Sequence, residues 1–423
     1  MSKTVFVLGA GFNRFLEMKF HLNDSKKKNK LSFYFDSKEL TLPPPVSNDF
    51  FKYVLRTENS RVQTTYGIKE EVLNYIKKWF NRTKQDLKNR CFDLELFFTF
   101  LTSQINEAKE QKNRDLYVEL LGIQHHLVHA LGTVFFELEW QLPKEGREKL
   151  KKFGEIIYKT SSDVITFNYD CLAEVGIETA SGETGEKLKN GNPRYNWNRY
   201  AAYGTKFTKL RLNGSNYWDG TDGRNEAKAF YKNSFKSTYK SSFIKLHGSY
   251  NWFKYSEFLR RTPLKRDILA GKILPPISKE TKPLPERLKN EILCFNADWQ
   301  WGNSPVWSAH SDKYVLEPLI IPPILNKEEK IQQNIFSELW HAAKETMLNC
   351  EEIVFIGYSF PDTDFYAKKL FLEVFSINKN IKVTIVNPLK SIRNKFRRLV
   401  NYKGPIQYYK YGSDYIENYK FPE

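Results

Sequence analysis

The chain has 423 residues, 41% hydrophobic and 15% aromatic, which is enough apolar side chain for a substantial core and too much for a disordered chain. Its formal charge of +17, from 66 Lys and Arg against 49 Asp and Glu, attracts polyanions, yet lysine is interleaved with asparagine in runs such as Lys26-Lys27-Lys28-Asn29-Lys30, the pattern of a solvated loop. The four cysteines, Cys91, Cys171, Cys294 and Cys350, form no CxxC pair, and no apolar run is long enough to span a bilayer; a soluble cytoplasmic protein with no structural zinc and no membrane contact is expected.

Thr4 to Leu8 reads as an apolar strand entering a glycine turn, Gly9-Ala10-Gly11-Phe12-Asn13, a geometry that brings backbone N–H groups close to a phosphate. Phe12 to Met18 begins a helix, and Pro43-Pro44-Pro45 interrupts the chain. From about Gly67 the apolar residues recur at helical spacing. Ile68, Val72, Leu73, Ile76 and Phe80 are followed by Leu94, Phe97, Phe98 and Leu101, by a long segment from Arg114 to Trp140, and by a helix from about Arg147 to Tyr158. Residues 67–160 are therefore expected to form a helical layer or insertion within one domain spanning 1–423. Its histidines, His125, His126 and His129, have no third ligand of metal-site geometry and read as packed or exposed side chains.

At Asp163 the pattern becomes that of a buried strand, Val164-Ile165-Thr166-Phe167, ending in Asn168-Tyr169-Asp170 and a helix-like Cys171 to Glu174. Residues 179–240 are rich in Gly, Asn, Tyr and Lys and read as a loop-rich insertion. Phe243 to Leu246 is another short strand, running into the polar stretch His247-Gly248-Ser249-Tyr250-Asn251-Trp252. Prolines and tryptophans punctuate Leu274 to Pro323, which reads as extended. Regular alternation then returns: a helix from Phe336 to Asn349, a strand from Glu352 to Ile356, the loop Gly357 to Asp364, a helix carrying Ala367, Leu370, Phe371 and Val374, and a strand from Ile381 to Val386 ending at Asn387-Pro388. Strand, polar loop, helix, strand is the grammar of an α/β protein with a Rossmann-like parallel sheet covered on both faces.

Four polar clusters thus share the carboxyl ends of strands, where open α/β sheets bind ligands: Gly9 to Asn13, Asn168 to Asp170, His247, and Gly357 to Asp364 with Asn387. Gly9-Ala10-Gly11 lacks the third glycine of the dinucleotide fingerprint and the Lys-Ser pair of a triphosphate loop. The joint placement points to a dinucleotide.

The set of motifs resembles the sirtuin superfamily, and more closely the sirtuin-like NAD hydrolases of prokaryotic antiphage defence. The resemblance rests on Gly9-Ala10-Gly11 with Asn13, on Thr166-Phe167-Asn168-Tyr169-Asp170, on Lys245-Leu246-His247-Gly248, and on Gly357-Tyr358-Ser359 with Val386-Asn387-Pro388, so it runs from residue 4 to residue 388. It departs from the family at Asn13, where serine is more usual. The resemblance implies a sirtuin fold and NAD+ as substrate. In it His247, Asn168 and Asp170 are the catalytic group, with His247 titrating near the working pH, Asn168 holding water and ribose, and Asp170 orienting a ribose hydroxyl or capping a helix. Gly9, Ala10, Gly11, Phe12 and Asn13 would face the pyrophosphate, and Gly357, Ser359 and Asn387 the adenosine side.

The zinc module of sirtuin deacylases has no counterpart in the cysteines here, which favours hydrolysis to nicotinamide and ADP-ribose over deacylation. ADP-ribosyl transfer or cyclisation uses the same oxocarbenium-like centre and stays open. The resemblance further implies a regulated effector, expected to be a homo-oligomer or to answer to a phage-sensing partner such as an ATPase. A competing reading is a nucleic-acid binding or cleaving subunit. Its support is the basic stretch Arg393, Lys395, Arg397 and Arg398, and the aromatics Trp197, Tyr200 and Tyr203 among Arg194 and Arg199, a composition able to stack bases.

Overall fold

The computed structural model describes residues 3–15, 20–21, 41–42, 47–56, 68–140, 142–187, 193–197, 199–203, 241–260, 277–294, 314–325, 327–332 and 334–421. Apart from two small hairpins, the strands in chain order are β1 (Thr4–Leu8), β2 (Asp163–Thr166), β3 (Phe243–Lys245), β4 (Gly248–Arg260), β5 (Ile277–Thr281), β6 (Ile292–Cys294), β7 (Tyr314–Ile320), β8 (Glu352–Ile356), β9 (Lys382–Val386) and β10 (Ile406–Tyr409).

Six of these form one parallel sheet in the order β10-β9-β8-β1-β2-β3. Every residue of β1 and β2 is buried, the outcome expected of short runs rich in Val, Ile and Phe that are covered on both faces. Phe6 and Phe355 show the two faces. Val7 pairs with Phe355, so Phe6, one residue away, points to the opposite side. Phe6 meets Phe153 at 5.7 Å and Tyr415 at 6.3 Å, whereas Phe355 meets Phe371 at 5.3 Å and Phe396 at 5.4 Å. Helices therefore flank the sheet on both sides.

The strand order is that of a doubly wound, Rossmann-like sheet. The chain builds outward from β1 through β2 to β3, returns to the other side of β1 with β8, and builds outward again, so the order reverses between β1 and β8. Lys245, Thr166, Leu8, Ile356, Val386 and Tyr409 stand in one register row across the sheet, and the residues after them form its carboxyl edge.

Between β1 and β2 run the helices Glu70–Phe80, Lys84–Asn89, Leu94–Glu110, Arg114–Trp140 and Lys144–Thr160. Their buried stripes, among them Ile76, Leu101, Leu127 and Phe153, belong to the same contiguous apolar core as Val5 and Ile353. Thr83 caps its helix in a reciprocal box with Asp86, and Asp93 caps the next through the N–H groups of Glu95 and Leu96.

The polar stretch after His247 is the start of β4, a strand of 13 residues. It carries a second, antiparallel sheet with β5, β6 and β7. Gly248 opens the strand at φ 79°, and a Cβ there would overlap the carbonyl of Leu319 on the neighbouring strand. Most of β4 is buried, so it lacks the alternation that marks a half-buried strand. Of residues 179–240, the structure describes the end of helix Leu172–Ser181, a hairpin of Glu183–Lys187 with Pro193–Tyr195, and helix Arg199–Ala202; residues 204–240 lie outside the described residues. Among the described residues no helix is long and apolar enough to cross a membrane.

Candidate active site

The two glycine loops meet at the reversal of strand order. Gly11 N–H donates to the Gly357 carbonyl at 3.0 Å, Gly9 N–H donates to Ile356 at 3.0 Å, and Phe12 N–H closes the turn onto the Gly9 carbonyl at 2.8 Å. A Cβ on Gly9 would lie 2.6 Å from Tyr358 Cα, and one on Gly357, at φ 65°, would overlap the backbone of Gly11 and Phe12. Both glycines are thus explained by the close approach of two backbones. Of the N–H groups expected to face a phosphate, that of Gly11 is spent on the Gly357 carbonyl and that of Phe12 inside the turn. Ala10 stands exposed at its apex.

Helix Phe12–Phe15 follows and buries Asn13, whose Nδ2 donates to Asp170 Oδ2 at 2.8 Å across the ends of β1 and β2. The other oxygen of Asp170 accepts the Leu172 N–H at 3.1 Å, at the entry of helix Leu172–Ser181. Both carboxylate oxygens are therefore engaged, and burial raises the Asp170 pKa against the pull of Lys245 and Asn13. Lys245, fully buried, reaches the Asp170 carbonyl at 2.5 Å and Glu174 at 2.8 Å.

Asn168 and His247 each lie two residues past the register row. Asn168 is buried with its N–H on Thr166 Oγ1 at 3.0 Å, and its side-chain Oδ1 has no partner. His247 sits in the turn between β3 and β4, fixed by its carbonyl accepting Ile321 N–H at 2.8 Å and by the neighbouring Leu246 carbonyl accepting Trp340 Nε1–H at 3.1 Å. The His247 ring contacts Phe167 at 5.2 Å, Tyr169 at 6.2 Å and Trp340 at 6.3 Å between centroids. Tyr358 stacks on Phe167 at 4.6 Å.

The expectation of a histidine titrating near neutrality is corrected here. Burial and the ammonium of Lys327 push His247 down to about 3, against Asp364 and a backbone hydrogen bond to Phe167, which raise it. At neutral pH the ring is uncharged, and since its Nε2 is the unpartnered nitrogen, Nδ1 is the one that serves Phe167.

Of the buried atoms without a hydrogen-bond partner among the described residues, three stand at this edge: Asn13 Oδ1, Asn168 Oδ1 and His247 Nε2. A buried polar atom left open costs about 1–3 kcal/mol, a cost that a polar ligand meeting these three atoms would offset.

The late loops contribute less. Ser359 is exposed at the crest of its loop. Asn387 is buried with both amide atoms bonded, Nδ2 to the Tyr358 carbonyl at 3.2 Å and Oδ1 to the Leu389 N–H at 3.0 Å, so it ties two loops together. Sequence reading missed Lys327 as a site residue and named Asp364 only as the end of a loop. For Asp364 a signal existed, since an Asp directly before an apolar helical run is a capping position.

Of the residues expected to form a base-stacking surface, Trp197, Tyr203 and Arg199 are instead buried, Arg199 paired with Glu139 and Glu178, while the side chains of Arg194 and Tyr200 lie outside the described residues. On helix Ile392–Val400, Lys395 pairs with Asp362, Arg397 donates to the Gly404 carbonyl and Arg393 covers the Tyr408 ring, while Ile392 and Phe396 face the core. Two histidines of helix Arg114–Trp140 face the antiparallel sheet, His125 on Glu317 at 3.1 Å and His129 on the Leu316 carbonyl at 3.1 Å, whereas the half-buried His126 lies 3.2 Å from Lys69 Nζ. Among the described residues no group of three or more His, Cys, Asp or Glu side chains is placed to hold a metal ion, and all four cysteines are free thiols.

No protein-family model matches the chain, and no curated protein matches it. Among solved structures, a serine-to-alanine mutant of a Sir2 homologue in complex with ADP ribose is similar over 64% of this chain and 73% of that chain, at 11% sequence identity and a TM-score of 0.25. A likeness of that size assigns this chain neither a family, a ligand nor a reaction.

Proposed function

We propose that this chain is an NAD+ glycohydrolase that cleaves the nicotinamide–ribose bond to give nicotinamide and ADP-ribose, in the manner of the sirtuin-like hydrolases its motifs resemble. The observation that carries the reading is the trio of unpartnered buried atoms, Asn13 Oδ1, Asn168 Oδ1 and His247 Nε2, at the carboxyl edge of a sheet whose strand order reverses beside them. All three are acceptors, so they suit the hydroxyls of a ribose and an attacking water, both of which donate.

In the reaction the bond between the anomeric carbon and the nicotinamide nitrogen breaks with its electron pair going to the ring nitrogen, which discharges the pyridinium. Water oxygen bonds to the anomeric carbon and one proton is released. Asn168 holds the water and the ribose together, a positioning task worth several powers of ten when the geometry is right. His247, neutral at working pH, accepts the hydrogen bond of a ribose hydroxyl and favours the positive charge that develops on the sugar. Asp170 fixes Asn13 from behind, and the aromatic wall of Phe167, Tyr169 and Trp340 keeps bulk water from the ring of His247. The biological setting that the resemblance implies, an antiphage effector held inactive until triggered, belongs to the same proposal.

The test is release of nicotinamide from NAD+ by the purified chain, with and without candidate activators, with products separated by chromatography. ADP-ribose as product supports hydrolysis, whereas a cyclic product or a modified protein replaces it with cyclase or transferase chemistry. Full release by both His247→Ala and Asn168→Ala removes this site from the reaction.

A further inference from the structure

Asp364 stands at the entry of helix Phe365–Ile377, and its two carboxylate oxygens divide the work. Oδ1 accepts the Ala367 N–H at 3.3 Å as the helix cap, which fixes the carboxylate in place. Oδ2 lies 3.7 Å from His247 Nε2 and 3.5 Å from Lys327 Nζ. The three side chains are 4%, 8% and 7% exposed respectively, so ammonium, carboxylate and imidazole form a buried row. Lys327 is held by its own backbone, whose carbonyl accepts the N–H groups of Lys330 and Ile331.

The remaining neighbours of the ring carry no charge. The turn after β2 contributes Phe167 and Tyr169, helix Asn334–Leu348 contributes Trp340, and Tyr358 of the late loop lies behind Phe167. Burial keeps both tyrosine hydroxyls protonated. Among the described groups, the charges acting on His247 are those of Lys327 and Asp364.

We propose that Asp364 and Lys327 are positioning residues for His247, the ammonium offsetting the carboxylate so that the ring stays neutral with Nε2 open as an acceptor; this rests on the hydrolase reading above. Without Lys327, the ring would face a lone buried carboxylate, take up a proton and turn from acceptor into donor. Without Asp364, it would face a lone ammonium and resist protonation further. A purely structural pair would not move the ring in opposite directions.

The experiment is a pH titration from about 8 down to about 2.5 of the full chain carrying 13C-labelled histidine, with the His247 signal identified by its loss in His247→Gln. In the wild type the signal stays that of a neutral ring until the pH approaches about 3. Lys327→Met, with Lys327→Gln as a second variant of the same charge change, is expected to titrate at a pH higher by about one unit or more. Adding Asp364→Asn, which keeps a capping side chain, is expected to remove that upward shift. The acid limb of nicotinamide release should move with the ring in Lys327→Met. A His247 signal that titrates as in the wild type in both lysine variants, or an upward shift that survives Asp364→Asn, overturns the proposal. The ring is read directly, so an absence of nicotinamide release overturns the hydrolase reading while leaving the expected titration intact.

Discussion

Two groups of buried polar side chains lie within a few residues of each other in this molecule and are completed differently. In one, Arg199 donates to Glu139 at 2.9 Å and to Glu178, Tyr250 donates to Glu139, Tyr203 donates to Glu174 at 3.0 Å, and Lys245 donates to Glu174 and to the Asp170 carbonyl. In the other, at the carboxyl edge of the parallel sheet, Asn13, Asn168 and His247 each bury an atom without a hydrogen-bond partner among the described groups. A charge removed from water is tolerated when its partners are built in, so the first group is architecture that ties helices Arg114–Trp140 and Leu172–Ser181 to the sheet. The second leaves hydrogen bonds unmade, the opening that the proposed ligand would fill.

The largest test of that contrast is Arg199→Met, which strands Glu139 and Glu178 together in the interior. It should cost about 3–5 kcal/mol in urea unfolding, as for other broken buried pairs, and a variant as stable as the wild type would show that the network is not structural. His247→Ala and Asn168→Ala should instead unfold close to the wild type while nicotinamide release falls by about 10²-fold or more, measured at saturating NAD+. A loss of stability matching that of Arg199→Met would erase the distinction between the two groups.

Acid sharpens it further. Burial holds His126, His129 and His247 below the ordinary histidine value, His126 and His247 at about 3. In the unfolded chain they titrate near about 6.5, so the unfolded state binds the extra protons. The folded state therefore keeps its full stability above that pH and loses it as pH falls from about 6.5 toward about 3. Thermal melts at pH 5 should lie several degrees below those at pH 7.5, and a flat profile would contradict the burial of these rings. The smallest effect is expected of Asn387→Ala, which removes a loop tie and should cost about 1 kcal/mol in stability. A loss of NAD+ affinity with no loss of stability would bring Asn387 into the binding surface.

Much of the sheet was readable because its strands are short apolar runs followed by polar turns. The strand Glu352–Ile356 has the expected bounds, as does helix Arg114–Trp140. The strands β4 and β10 are among those that were not readable. β4 is apolar and polar without a period because it is buried on both sides, and β10 is a half-exposed strand of mixed Gln and Tyr that, among the described residues, pairs with β9 at the edge of the sheet. His247, Asn168, Asp170 and Asn13 were recognisable as polar residues just after strand ends. Lys327 was not, since it sits in Asn326-Lys327-Glu328-Glu329-Lys330, which reads as a solvated charge run.

The chain's own order of residues determined which side chains stand at the carboxyl ends of strands, because period and punctuation are local properties. What tertiary structure alone decided is which of them have partners. Gly9 and Gly357 serve a contact between backbones, and Asn387 and Asp170 are spent on neighbouring loops. Asn13 Oδ1, Asn168 Oδ1 and His247 Nε2 are left open. Hydrogen-bond partners separated by 157 residues, as Asn13 and Asp170 are, meet only when parallel strands fall into register, and no local pattern records that meeting.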